Sequence, residues 1–167
     1  FARGNYVTFL NASNSTRWYD RLRGRTGFVV YDTEYSTAER GSIATRLAAN
    51  GSRTPNASGL AHYRAVYASA DGQYRVFTLV PGATLTGAAC PETTIQVATQ
   101  LELSGETSTY ARQTTTDTNG SYRITVPYPG QYTVGEHEIR VPEAAIKNGT
   151  NLPVTSASQG QPSAGSC

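Results

Sequence analysis

The sequence predicts an α+β protein, a small mixed α/β unit followed by an antiparallel Ig-like β-sandwich. Three observations predict it. Helix-like and strand-like apolar patterns alternate up to about residue 75. Beyond that point, short alternating segments recur at roughly 8–12-residue spacing with turn residues between them. The composition is also suited to strands and turns: the 167 residues include 11 Tyr and 16 Gly and are only 16% charged. The reading divides the chain into a mixed α/β unit at 1–75, a sandwich at 76–147 and a flexible tail at 148–167.

In the first unit, Trp18, Tyr19 and Leu22 fall on one helical face, and Gly24 is a stop signal. Phe28–Tyr31 is a continuous apolar run, the pattern of a strand buried on both faces. Ser36 and Glu39 have capping-box spacing, Ile43, Leu47 and Ala48 follow on one face, and Gly51 ends that helix. His62–Ser69 and Gln73–Val80 both alternate around Asp71-Gly72, a strong hairpin turn. Tyr63, Ala65 and Tyr67 should share one face, with His62, Arg64, Val66 and Ala68 on the other. This hairpin is expected to join the two units. Burying one Tyr or Leu of the seam is worth roughly 1.5–3 kcal/mol, so a polar substitution at Val66 or Val76 is expected to open it.

The sandwich begins with a short strand at Ala83–Gly87. Thr94–Leu103 then places Ile95, Val97, Leu101 and Leu103 on one side. Strands at 108–116 and 122–126 flank the Asp117–Gly120 turn, and two more follow at 131–134 and 138–141. Pro142–Ile146 reads as one helical turn. The residues beyond Asn151 have few anchors and are expected to be loose.

Composition also limits function. A net charge of +2 is too small and too dispersed for a nucleic-acid groove. It also argues against a surface adapted to molar salt. No run reaches 18 apolar residues and no signal peptide is visible. The start at Phe1 and the absence of Met are read as marks of a mature form or an excised fragment.

Catalytic chemistry is sparse. His62 and His137 lack partners at zinc-ligand spacing. The four Asp are at 20, 32, 71 and 117, and the last two fall in turns. No phosphate loop, dinucleotide fingerprint or H-E-x-x-H motif occurs. Glu136, His137 and Glu138 form a weak surface trio for a cation. Arg17, Arg21, Arg23 and Arg25 surround Trp18 and Tyr19, a pattern that suits either a solvated helix face or an anion or lipid head-group site. Cys90 and Cys167 are one possible disulfide, which would span about 75 residues and stabilise by roughly 4 kcal/mol in the chain-entropy model.

One count stands out. Six of the eight asparagines, Asn11, Asn14, Asn50, Asn56, Asn119 and Asn148, head Asn-x-Ser/Thr triplets. Ser and Thr make up about a fifth of the chain, so chance would give roughly two such triplets. The excess fits exposure to an N-glycosylating compartment. Asn-Gly-Ser at 50 and 119 is also ordinary turn chemistry.

Four segments carry a resemblance. They are Gly59–Tyr67 (GLAHYRAVY), Val76–Gly87 (VFTLVPGATLTG), Asp117–Tyr128 (DTNGSYRITVPY) and Val141–Gly149 (VPEAAIKNG). The His62-Tyr63-Arg64 strand joined to Val80-Pro81-Gly82-Ala83 is the most specific of these. Together they resemble the C-terminal extracytoplasmic region of archaeal oligosaccharyltransferases (dolichyl-phosphooligosaccharide–protein glycotransferases), over about 60–150. Trp18–Tyr31 and Ser42–Arg53 fit more loosely. The resemblance implies the non-catalytic soluble portion of a membrane enzyme of protein N-glycosylation. Its implied partners are a transmembrane catalytic domain of the same polypeptide and acceptor polypeptides, with no nucleic acid, at the extracytoplasmic face. A divalent cation is implied for the membrane domain and no cofactor for this chain. The family's Trp-Trp-Asp-Tyr-Gly motif has no equivalent here beyond Trp18-Tyr19-Asp20, which is not equated with it. No catalytic residue carries over, and the free chain is expected to be inactive. The alternative is a glycosylated archaeal cell-surface structural or adhesive module.

Overall fold

The computed structural model describes residues 3–35 and 40–155. Helix α1 (Arg3–Asn11) opens the chain. The sequence reading contains no helix there, because the segment has neither a capping residue nor a clear apolar stripe. Tertiary packing holds it instead. Phe9 and Leu10 are fully buried, and Phe9 meets Trp18 edge-on at 5.5 Å.

Helix α2 (Ser15–Leu22) forms where expected. Asn14 caps it, its side chain accepting from the Arg17 amide at 3.0 Å. Tyr19 and Leu22 face inward. Gly24, at φ 73°, follows the helix end.

Strand β1 (Phe28–Asp32) is present, but the expectation of burial on both faces is corrected. Val29 and Tyr31 point inward, while Phe28 is 61% and Val30 52% exposed. β1 is an edge strand, and only one of its faces is covered.

Helix α3 (Ile43–Ala48) starts from Ser42, whose hydroxyl accepts from the Thr45 amide. The capping-box positions 36–39 lie outside the described residues. Arg46 is buried and ties three segments together through the carbonyls of Ser42, Ser58 and Ser13 at 3.2, 3.4 and 2.5 Å.

Strands β2 (Tyr63–Ala68) and β3 (Tyr74–Leu79) form the expected hairpin. With β1 they make an antiparallel sheet in the order β1-β3-β2. A register shift between Ala65 and Tyr67 corrects one expectation. Tyr63 and Ala65 are buried, but the bulge turns both Val66 and Tyr67 outward. Val66 therefore cannot act at the seam. Val76 stands directly across from Val30 and Tyr67, on the uncovered side.

The sandwich comprises β4 (Ala83–Ala88), β5 (Thr94–Leu103), β6 (Glu106–Thr115), β7 (Ser121–Val126), β8 (Gly130–Val134), β9 (His137–Val141), α4 (Glu143–Asn148) and β10 (Asn151–Pro153). Its sheets are ordered β10-β4-β7 and β6-β5-β8-β9. Leu85, Ile124 and Val126 from one sheet, and Ile95, Val97, Tyr132 and Val134 from the other, belong to a common core. β10 is unanticipated. It runs parallel to β4, so residues 151–153 of the expected loose tail are strand.

The first unit and the sandwich share one continuous cluster of buried apolar residues. Residues 51–60 run along β6, the outer strand of its sheet. The Ala111 carbonyl accepts from the Arg53 amide, and the Ser52 and Ser58 hydroxyls accept the amides of Ala111 and Gln113. The Cβ of any larger residue at Gly59 would lie 2.5 Å from the Ala111 carbonyl oxygen, so this close approach requires glycine. The loop thereby satisfies a sheet edge that would otherwise be open.

Candidate interaction surface

Four buried phenols fasten this region, two of them across the seam. Tyr110 donates to the Leu60 carbonyl at 2.8 Å, and Tyr132 to the Tyr128 carbonyl at 3.0 Å. Tyr63 donates to the Ser15 carbonyl at 3.1 Å. Tyr128 donates to the Asn50 carbonyl and accepts from the Ala65 amide, both at 2.8 Å. Burial pushes all four phenols well above the ordinary tyrosine range, so they remain neutral donors. Tyr110 and Tyr128 hold the sandwich against the first unit, while Tyr63 ties β2 to α2 within that unit and Tyr132 acts within the sandwich.

That sheet leaves its outer face uncovered. Val30, Val76 and Tyr67 are in register across its three strands, with Phe28 and Tyr74 to either side. A groove of about 400 Å³ runs beside it, lined by Tyr6, Phe9, Leu22, Arg25, Phe28 and Val30 among others. At the β1 edge, the Phe28 carbonyl accepts from the Thr26 hydroxyl and the Val30 carbonyl from Tyr6 Oη at 2.9 Å. The surface is mostly apolar with Arg25 on its rim, which suits protein contact better than chemistry.

The arginines do not converge. Arg21 lies over the Trp18 ring at 5.2 Å. Arg23 lies over Tyr19 at 5.8 Å and pairs with Asp20 at 3.4 Å. Arg25 alone borders the groove. This dispersal favours snorkelling side chains on a helix face over an anion site.

His62 stacks on Tyr19 at 4.1 Å, and its Nδ1 meets the Pro81 carbonyl at 2.9 Å. As a neutral ring it donates there, and burial lowers its pKa from the ordinary 6.5. His137 is exposed at the start of β9, and Glu138 hydrogen-bonds Gln131. Among the described residues no three His, Cys, Asp or Glu gather as a metal group, so the Glu136–His137–Glu138 trio does not form one. Asp71 and Asp117 hold turns: Asp71 accepts from Ser69 and Gln73, and Asp117 from the Asn119 and Ser121 amides. Cys90 is not a free thiol, and Cys167 lies outside the described residues. The uncovered sheet face escaped sequence reasoning, because an apolar run such as Phe28–Tyr31 does not reveal which side stays open.

The six triplets are unlike one another. Asn11 is half-buried at the end of α1, and Asn14 serves as a helix cap. Asn50 is half-buried, with its Oδ1 accepting from Arg75 Nε at 3.0 Å. Asn56, Asn119 and Asn148 are exposed, as is the capping Asn14.

The architecture is thus an antiparallel sandwich fastened to a helix-backed sheet whose outer face is open and apolar. Residues 82–152 match the family model of the archaeal glycosylation protein B long peripheral domain. Over that stretch, less than half of its length, the chain is similar to a peripheral domain of archaeal oligosaccharyltransferases. Its fold is similar to that of the Archaeoglobus fulgidus oligosaccharyltransferase in the apo form, with TM-score 0.72 and 14% identity, covering 89% of this chain and 33% of that one. It is similar also to AglB from Archaeoglobus fulgidus in complex with an inhibitory peptide and a dolichol-phosphate, with TM-score 0.65, 15% identity and coverage of 89% and 32%. A third likeness is to the Archaeoglobus fulgidus enzyme tethered with an acceptor peptide containing the NVT sequon, with TM-score 0.64, 15% identity and coverage of 89% and 34%. At such identities the likeness establishes the fold. The chain spans about a third of the length of these structures. No curated protein matches it in sequence. No helix among the described residues is long and apolar enough to cross a membrane.

Proposed function

We propose that the chain is the non-catalytic extracytoplasmic portion of a membrane oligosaccharyltransferase acting in protein N-glycosylation. The observation that carries this reading is the family match at 82–152, in a fold likeness that takes in 89% of the chain. In this reading the Phe28–Val30–Val76–Tyr67 face seats against the remainder of the same polypeptide, including its transmembrane catalytic part, while acceptor polypeptides pass nearby. The first unit and the sandwich act as one body, because the tyrosine bonds of the seam and the 51–60 loop leave no free hinge.

The carboxylates present do not fit a catalytic cation. Asp71 and Asp117 serve turns, and no acidic cluster forms among the described residues. In this reading any divalent cation of the reaction is held by the membrane part, and no step is assigned to residues of this chain. The test is glycan transfer by the purified chain, given a lipid-linked donor and an acceptor peptide. The expected result is no turnover, and transfer above the enzyme-free background contradicts the reading.

A further inference from the structure

Six acceptor triplets in one chain raise the question of which can carry a glycan once the chain is folded. The modification joins Asn Nδ2 to the anomeric carbon of a sugar. The bond that breaks links that carbon to the phosphate oxygen of a lipid-phosphate-linked glycan. The lipid phosphate leaves with the electron pair, and the amide gives up one proton to a base. The folded chain must therefore present both the amide and the hydroxyl two residues on, and must afterwards hold a bulky branch at Nδ2.

Four triplets fail this requirement. At Asn50 the side chain is engaged by Arg75, and the Ser52 hydroxyl is buried, accepting from the Ala111 amide at 2.9 Å. At Asn56 the amide is exposed, but the Ser58 hydroxyl is held by Gln113, donating to its carbonyl at 2.8 Å and accepting from its amide at 3.1 Å. Asn14 and Thr16 are exposed, but Asn14 caps the α2 N-terminus through Oδ1, and turning its amide into a transferase would break that cap. Asn11 is half-buried at the end of α1.

Asn119 and Asn148 meet it. Asn119 and Ser121 are both exposed, and the tight turn is fixed by backbone bonds to Asp117, not by the Asn119 side chain. Asn148 and Thr150 are likewise exposed. Thr150 is anchored through its backbone, its amide donating to the Ala145 carbonyl and its carbonyl accepting from Thr84. Neither the Ser121 nor the Thr150 hydroxyl is engaged by another described residue. The two sites lie at opposite ends of the β4–β7 pair, since Ser121 faces Ala88 whereas α4 and Thr150 adjoin Gly82 and Thr84.

We infer that Asn119 and Asn148 are the positions at which the folded chain accepts an N-linked glycan. In a cell this rests on the extracytoplasmic reading above, and the test separates the two. The purified folded chain is incubated with a membrane oligosaccharyltransferase and its lipid-phosphate-linked glycan. Synthetic peptides carrying the same triplets run alongside, followed by intact mass and glycopeptide mapping. The expected product carries glycan at both positions. Asn119→Gln and Asn148→Gln each remove one glycan's mass, and the double variant removes all of it. Glycan on Asn50 of the folded chain overturns the inference. So do empty Asn119 and Asn148 where their peptides are modified. Modification in the tube but not in an N-glycosylating host cell supports the sites and counts against the compartment.

Discussion

Tyr128 shows how a single residue closes this fold. Its hydroxyl serves two backbone groups of the first unit, the Ala65 amide and the Asn50 carbonyl. Phenylalanine keeps the ring but leaves a buried amide without a partner, at a cost of about 1–3 kcal/mol. Denaturant unfolding of Tyr128→Phe should show that loss, and unchanged stability would contradict the role assigned to the seam. His62 gives a pH signature. Its pKa is lowered below 6.5 in the fold, so the unfolded chain binds more protons once pH falls towards 6.5. Its contribution to stability is thus present above about pH 6.5 and is lost as pH falls from there to its folded pKa. Urea midpoints at pH 7.5 and 5.5 should differ in that direction, and His62→Gln should reduce the difference. An equal difference in the variant assigns the effect to other groups.

At the scale of elements, legibility followed the strength of the local signal. The Asp-Gly hairpin and the alternation of Thr94–Leu103 were readable because turn chemistry and period-two burial agree there. α1 was not readable, since its stability comes from the burial of Phe9 and Leu10, with Phe9 against Trp18 and Tyr63, and not from its own sequence. β10 is three residues long and exists by pairing with β4. The burial of β1 could not be read, because whether a partner covers a strand is a property of the tertiary structure. For the candidate surface, Val66 and Val76 were named for the wrong side: the bulge at Val66 and the register of Val76 place both outward. The acceptor triplets were fully visible in sequence, and their burial and hydrogen bonding were not.

For the whole molecule, continuity of the core has a thermodynamic consequence. Trp18 is the only tryptophan and reports on the first unit, while far-UV circular dichroism reports on the helices and strands of both units. The two probes should give coincident unfolding curves. Separated midpoints would show that the seam does not couple the units.

The larger claim is that the open face of the first sheet is a contact surface for the rest of an oligosaccharyltransferase. Its most direct measurement compares Phe28→Ser combined with Val30→Asp in two settings. Both side chains are mainly exposed in the isolated chain, so its melting temperature should hardly move. In the assembled membrane enzyme containing the chain, the same pair should sharply reduce glycan transfer to an acceptor peptide. Full transfer by that variant enzyme would contradict the account.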